Sequence, residues 1–176
     1  MALDDLSVRL DAVTRCLDEA GVEYAIVGGQ AVALWVATID PAAVRTTKDI
    51  DLLLERGALP AARSAVQSLG MEYFETMGVG MFISRTDPNP RHGVHLVWAG
   101  EVVRPHELVP APTMEDRHMM PGGRHVVSLA KLVEMKLTAF RDQDRVHLRD
   151  MLDLGLIDEA VTDPLPVALA DRLRQL

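Results

Sequence analysis

The stretch from Tyr24 to Glu55, YAIVGGQAVALWVATIDPAAVRTTKDIDLLLE, constrains the fold most, because it joins an apolar strand, a diglycine turn, a helical run and a carboxylate-bearing strand. Tyr24-Ala25-Ile26-Val27 is short and apolar. It ends at Gly28-Gly29, where a chain can turn sharply and admit another group against its backbone. Gln30 to Thr38 is apolar all round, which predicts a buried helix whose N-terminus faces whatever lies over the glycines. Unpaired amides and the positive dipole end would attract an anion there. In Asp49-Ile50-Asp51-Leu52-Leu53-Leu54, strand alternation predicts Asp49 and Asp51 on one face and Ile50, Leu52 and Leu54 on the other. Two residues of rise separate the acids by roughly 6.5 Å at the Cα atoms. Both carboxylates can then hold one hard cation. Two like charges side by side are unfavourable unless a metal or a base neutralises them. A solvated strand face is the competing reading.

These residues resemble a known family. Gly28-Gly29, a helix, and then Arg45-x-Thr47-x-Asp49-x-Asp51 look like the signature of the nucleotidyltransferase superfamily: a hydrophobic residue before Gly-(Gly/Ser), then (Asp/Glu)-hydrophobic-(Asp/Glu). The pattern is most similar to the minimal bacterial branch around the AbiEii abortive-infection toxins, and more distantly to the antibiotic nucleotidyltransferases. The likeness covers the core to about Trp98 and resumes over Leu132–Leu154.

Composition narrows the classes. A chain of 176 residues, 48% hydrophobic with mean hydropathy near zero, predicts one soluble globular domain with a core that needs no staples. The single cysteine, Cys16, excludes an internal disulfide and fits a reducing cytoplasm. The N-terminus MALDDLSVRL is acidic and amphipathic and shows no signal peptide. The longest apolar run, Ala25 to Thr38, falls short of the ~20 residues that cross a bilayer. A cytoplasmic protein without a membrane span is therefore expected. The net charge of −8 argues against binding bulk DNA. The charge is uneven, however. Residues 1–84 carry 6 Lys and Arg against 12 Asp and Glu, residues 85–149 carry 10 against 8, and residues 150–176 carry 2 against 6. A locally basic wall facing the acidic strand would suit a phosphate-bearing substrate. A solvated basic surface is the plainer reading.

In chain order, Leu3, Leu6, Leu10, Val13 and Leu17 predict an amphipathic helix closed by Gly21. Leu59, Ala62, Val66 and Leu69 predict a second, ending at Gly70. Met71–Glu75 and Gly80–Ser84 read as a hairpin around Met77-Gly78, placed next to the Asp strand. Val94-His95-Leu96-Val97-Trp98 is a strand with Val94, Leu96 and Trp98 on one face and His95 with Val97 on the other. Residues 102–127 read as loop plus a small hairpin at Pro121-Gly122-Gly123. From Ser128, a candidate N-cap, the stripe Leu129, Leu132, Val133, Lys136, Leu137 and Phe140 makes Lys136 the one charge on a core-facing side. Such an ammonium must snorkel, pair with an acid or point into a polar pocket. A second helix follows Arg141 and runs to Leu154, and the tail from Asp158 holds two short helical patterns read as packing.

The expected architecture is α/β (α+β), a small mixed twisted sheet flanked by helices with a short helical C-terminal region. Residues 1–176 form one domain, with 1–127 as the α/β core and 128–176 as the C-terminal helices. The resemblance implies transfer of a nucleoside monophosphate from an NTP to an acceptor hydroxyl, with release of pyrophosphate. It implies Mg²⁺ or Mn²⁺ on Asp49 and Asp51, phosphates held at Gly28, Gly29, Arg45, Thr47 and Lys136, and catalytic roles for Asp49, Asp51 and Lys136. Family members usually carry a third acid where His95 stands here, so His95 is aligned to the third metal position, against a plain structural histidine as the competing reading and with Glu101 as a substitute acid. A neutral imidazole ligates transition metals but suits Mg²⁺ poorly. Lys136 with Arg141, Asp144, Arg145 and Asp150 also looks like the charged pattern of AbiEii-like proteins, against a competing reading as surface ion pairs. The acceptor stays open among a tRNA end, a protein side chain and a small molecule such as a drug or metabolite, and an antitoxin is a candidate partner. The alternative is a catalytically degenerate protein of the same fold with a binding or regulatory role.

Overall fold

The computed structural model describes residues 2–176. Helix α1 (Ala2–Glu19) forms where Leu10, Val13 and Leu17 recur at helical spacing, and all three are buried. Gly21 ends it in left-handed backbone (φ 66), and the Val22 amide donates back to the Leu17 carbonyl. Strand β1 (Tyr24–Val27), buried at every position, runs directly into α2 (Gly28–Ala37). The diglycine is thus the first turn of the helix rather than a turn ahead of Gln30. Nor is α2 buried all round. Ala31, Val32 and Val36 are buried, whereas Ala33, Leu34 and Trp35 are half-buried, and the Trp35 indole N–H donates to the Val127 carbonyl at 3.1 Å.

Strands β2 (Ile50–Leu54), β3 (Met71–Thr76), β4 (Val79–Ser84), β5 (Val94–Trp98), β6 (Arg117–Met119) and β7 (His125–Val127) join β1 in one mixed sheet, in the order β3-β4-β5-β2-β1-β7-β6. β2 pairs antiparallel with β1 and parallel with β5. The β3–β4 hairpin turns at Met77 and Gly78, both at positive φ (52 and 80), as a two-residue hairpin turn requires. It does not lie beside the Asp strand as expected, because β5 is inserted between β4 and β2. The β6–β7 hairpin extends the other edge, with β7 parallel to β1.

Helix α3 (Leu59–Gln67) buries Ala62 and Val66, but Leu69 lies beyond its end and is exposed. In α4 (Leu129–Ala139), Leu132, Val133 and Leu137 are buried, and Phe140 closes the helix in left-handed backbone (φ 48). Ser128 stands at the N-cap position, yet its side chain makes no capping hydrogen bond; its amide donates to Asp116 instead. Helix α5 (Asp142–Asp153) buries Leu148 and Met151. The short helices α6 (Glu159–Thr162) and α7 (Val167–Leu173) pack through Val161 and Leu169. From α7, Arg172 donates to the carbonyls of Leu137 and Thr138, both at 2.7 Å, which satisfies the open end of α4. Among the described residues no helix is long and apolar enough to cross a membrane.

Candidate active site

The sheet register brings the first site residues together. Val27 is the partner of Asp51 across β1 and β2, so Gly28, the next residue, starts α2 beside the Asp51 side chain. The contact requires glycine twice over. Gly28 has φ 66, and a Cβ on it would lie 2.1 Å from Asp51 Oδ2. Gly29 is needed for a different neighbour, since its Cβ would lie 2.6 Å from Thr47 Oγ1. The two glycines therefore let Asp51 and Thr47 seat against the start of α2. Ile50, Leu52 and Leu54 are buried, as strand alternation predicts, while Asp51 keeps 28% of its side chain exposed. Asp49 lies just before β2, exposed, and does not line the cleft described below.

His95 is the register partner of Asp51 on β5. Its Nδ1 lies 3.7 Å from Asp51 Oδ1, and its Nε2 lies 3.1 Å from the Pro90 carbonyl oxygen. The carboxylate of Asp51 raises the His95 pKa above its ordinary value against the opposing effect of burial, with a smaller contribution from Asp49. Val94, Leu96 and Trp98 are buried on the other face of β5. The expected place of His95 beside the acid strand is therefore the observed one.

Helices α4 and α5 supply a second set of charges. Lys136, with 7% of its side chain exposed, donates from Nζ to Asp144 Oδ1 at 2.8 Å, and Asp144 itself is 1% exposed. Of the three fates open to a core-facing ammonium, pairing with an acid is the one observed. Asp144 Oδ2 also accepts from Arg141 Nε at 2.8 Å and from the Arg141 amide. Burial would raise the Asp144 pKa, but Lys136 and Arg141 overturn that and hold it below the usual carboxylate value. The cluster thus has two cations for one anion and borders the cleft. Behind it lies His147, whose Nδ1 is buried without a hydrogen-bond partner. Burial, and then the Lys136 charge, lower its pKa.

Arg45 takes a different position from the phosphate contact expected of it. It forms a two-point pair with Asp150 of α5, with Nη2 to Oδ1 at 3.0 Å, and does not line the cleft. Asp144, His147 and Asp150 are spaced three residues apart along α5, so one helix face serves both the lysine and the segment that leads into Asp49 and Asp51. Arg145 of the same charged pattern stacks on the Phe140 ring, 4.4 Å from its centroid. Glu101, the substitute acid, lines the cleft but is bound in two-point fashion by Arg56 at 2.6 and 2.9 Å, and Arg56 holds its pKa low.

A cleft of about 530 Å³ collects these groups. Its polar lining includes Gly28, Asp51, His95, Lys136 and Arg141, and its apolar lining includes Met77, Val97, Trp98, Val102 and Val109. Among the described residues no group of three or more His, Cys, Asp or Glu side chains is arranged to hold a metal. Asp51 and His95 offer two donors that fit a cation, and the remaining positions would have to come from a ligand or water. The roles of Asp144 in fixing Lys136 and Arg141, and of Thr47 in seating on Gly29, could be found in the sequence only as charge spacing and as an unexplained second glycine.

The comparisons agree with this fold. The profile of the family described as "Nucleotidyl transferase AbiEii toxin, Type IV TA system" matches residues 13–176. A crystal structure of ANT(2")-Ia in complex with adenylyl-2"-tobramycin superposes with a TM-score of 0.59 at 15% identity, covering 96% of each chain. A solution structure of the antibiotic-resistance factor ANT(2'')-Ia superposes with a TM-score of 0.51 at 14% identity, covering 99% of this chain and 83% of the other. At such identity these likenesses establish the fold alone. No curated protein sequence matches. The match over residues 13–176, on a mixed sheet that seats a diglycine helix start against Asp51, makes this chain a member of the AbiEii nucleotidyl transferase family.

Proposed function

We propose that this protein transfers a nucleoside monophosphate from an NTP to an acceptor hydroxyl, releasing pyrophosphate. The observation that carries the reading is the seating of Asp51 against the glycine start of α2 in a cleft that Lys136 and Arg141 also line. The α2 N-terminus offers unpaired amides and a positive dipole end to phosphate oxygens. Lys136 and Arg141, held by one shared carboxylate, leave a net positive charge to receive pyrophosphate as it departs. In the reaction the acceptor oxygen attacks the α-phosphorus, the bond to the bridging oxygen breaks, and pyrophosphate leaves with that oxygen. Positioning and electrostatics do most of the work in such transfers. Asp51 and His95 would hold a divalent cation such as Mg²⁺ or Mn²⁺, and Asp49, outside the cleft, would add negative charge nearby. When bound, that ion neutralises phosphate charge and lowers the pKa of the attacking hydroxyl. Arg45 supports the site through Asp150 rather than by touching nucleotide, and Thr47 supports it by packing on Gly29. The family description adds a toxin role with an antitoxin as partner; the acceptor hydroxyl belongs to tRNA or to a small molecule in this reading.

One observation favours a second reading, a binding or regulatory protein without turnover: the β5 partner of Asp51 is His95, at the position where the family resemblance implies an acid. Screening the four NTPs for pyrophosphate release with Mg²⁺ and with Mn²⁺, using cell extract as acceptor pool, decides between them. Release that Asp51→Ala abolishes establishes the transferase. Nucleotide bound for hours without release establishes the regulatory protein.

A further inference from the structure

Behind the two cations of the cleft lies a nitrogen with nothing to bind. His147 is 6% exposed, and its Nδ1 is buried without a hydrogen-bond partner among the described residues. The ring stands on α5 three residues from Asp144, so the two side chains share one helix face. Asp144 spends both oxygens on cations, Oδ1 on Lys136 and Oδ2 on Arg141, each at 2.8 Å. The charged groups that face His147 are Lys136 from α4, Asp144 and Asp150 from its own helix, and Arg45 from the segment before β2. Helix α2, which also packs on α5, brings no titratable residue. Beside a buried ammonium a lone pair is favoured over an N–H, so in the neutral ring Nδ1 carries the lone pair and Nε2 the proton.

A phosphate chain in the cleft competes with Asp144 for the Lys136 ammonium, because both offer it anionic oxygens. Asp144, 1% exposed, would then be left with Arg141 alone, whose own side chain is 62% exposed. From this cluster we infer that phosphate entry is coupled to proton uptake at His147: as Lys136 turns to the phosphates, Nδ1 takes a proton from solvent and the imidazolium takes the lysine's place beside Asp144. The unpartnered nitrogen thereby gains an acceptor. In the free protein, burial first and Lys136 second lower the His147 pKa, and drawing the ammonium away removes the second of these. Linkage makes the coupling reciprocal, so lower pH tightens phosphate binding. The inference rests on the proposed reading that a phosphate chain occupies this cleft.

The test follows the full chain, labelled with ¹⁵N at histidine, by nuclear magnetic resonance, alone and with inorganic triphosphate and Mg²⁺. His147→Gln identifies the His147 signals by their loss. In the free protein at neutral pH the ring should be uncharged with its proton on Nε2, and its titration midpoint should rise when triphosphate binds. Without phosphate, Lys136→Gln should raise the midpoint by itself. Triphosphate affinity measured by calorimetry at about pH 7.5 and about pH 5.5 should improve at the acid end by at least about threefold more in the wild type than in His147→Gln. That difference cancels the protonation of triphosphate and of His95, which both proteins share. Triphosphate that binds while the His147 midpoint stays in place, or the same pH dependence in both proteins, would overturn the coupling and leave the transferase reading standing. Triphosphate that binds at neither pH would remove both.

Discussion

The part of the cleft that carries Asp51 is held by backbone register and close glycine contacts, whereas the part that carries Lys136 is held by ion pairs between two helices. Val27, Asp51 and His95 are neighbours on three adjacent strands, and no rotamer can move one strand relative to the next. Lys136 and Arg141, by contrast, take their positions from a single carboxylate on α5. The carboxylate side is therefore most sensitive to a steric insult at the glycines, while the cationic side depends on one residue. That residue is Asp144, outside the acid strand that the sequence makes conspicuous.

The largest effect is expected where a buried charge loses its partner. Asp144→Ala leaves Lys136 buried and unpaired and should cost about 3–5 kcal/mol in urea unfolding. Arg141→Ala, which removes a side chain 62% exposed, should cost far less. Equal losses from the two changes would break the contrast between the two sides. Next comes Gly28→Ala, which must hold a methyl at φ 66 and push Asp51 aside, and should cost about 1–3 kcal/mol together with NTP affinity. Gly29→Ala should cost less in affinity, because its methyl meets Thr47 rather than Asp51. If both variants bind NTP like the wild type, the glycines are not part of the site.

His147 gives a pH dependence of known sign. Its pKa is lowered in the fold, first by burial and then by Lys136 on α4, against Asp144 and Asp150 on its own helix and with Arg45 adding to the lowering. The folded protein thus binds fewer protons than the unfolded chain just below pH 6.5, and stability should fall as pH drops through that range. His147→Leu should flatten that acid slope when melting temperature is followed against pH. An unchanged slope would place the titration elsewhere. The smallest effect is expected from Asp150→Ala. The Arg45 side chain is 60% exposed, so the pair contributes at most about 1 kcal/mol to stability. Any larger effect should appear in NTP binding, through the segment that leads into Asp49.

Periodicity made much of this legible. Alternation along 94–98 assigned the buried face and placed His95 beside Asp51, and helical spacing marked Lys136 as the charge among buried neighbours. What periodicity could not supply was strand order. Nothing local in Met71–Ser84 says that β5 separates that hairpin from β2, because the pairing depends on loop closure and on which edges remain free. The start of α2 was misplaced for a related reason. Glycines look like a turn until a neighbouring strand presses a side chain against them. The fate of Arg45 was equally hidden, since its partner lies 105 residues away on α5.

Arg172 closes the end of α4 from 34 and 35 residues further along the chain and stands over the Phe140 ring, 5.4 Å from its centroid. The helix that presents Lys136 is thus moored by the last turn of α7, distant from it in sequence. An affinity tag or a protein partner pulling on that last turn would load the two carbonyls that close the helix carrying Lys136.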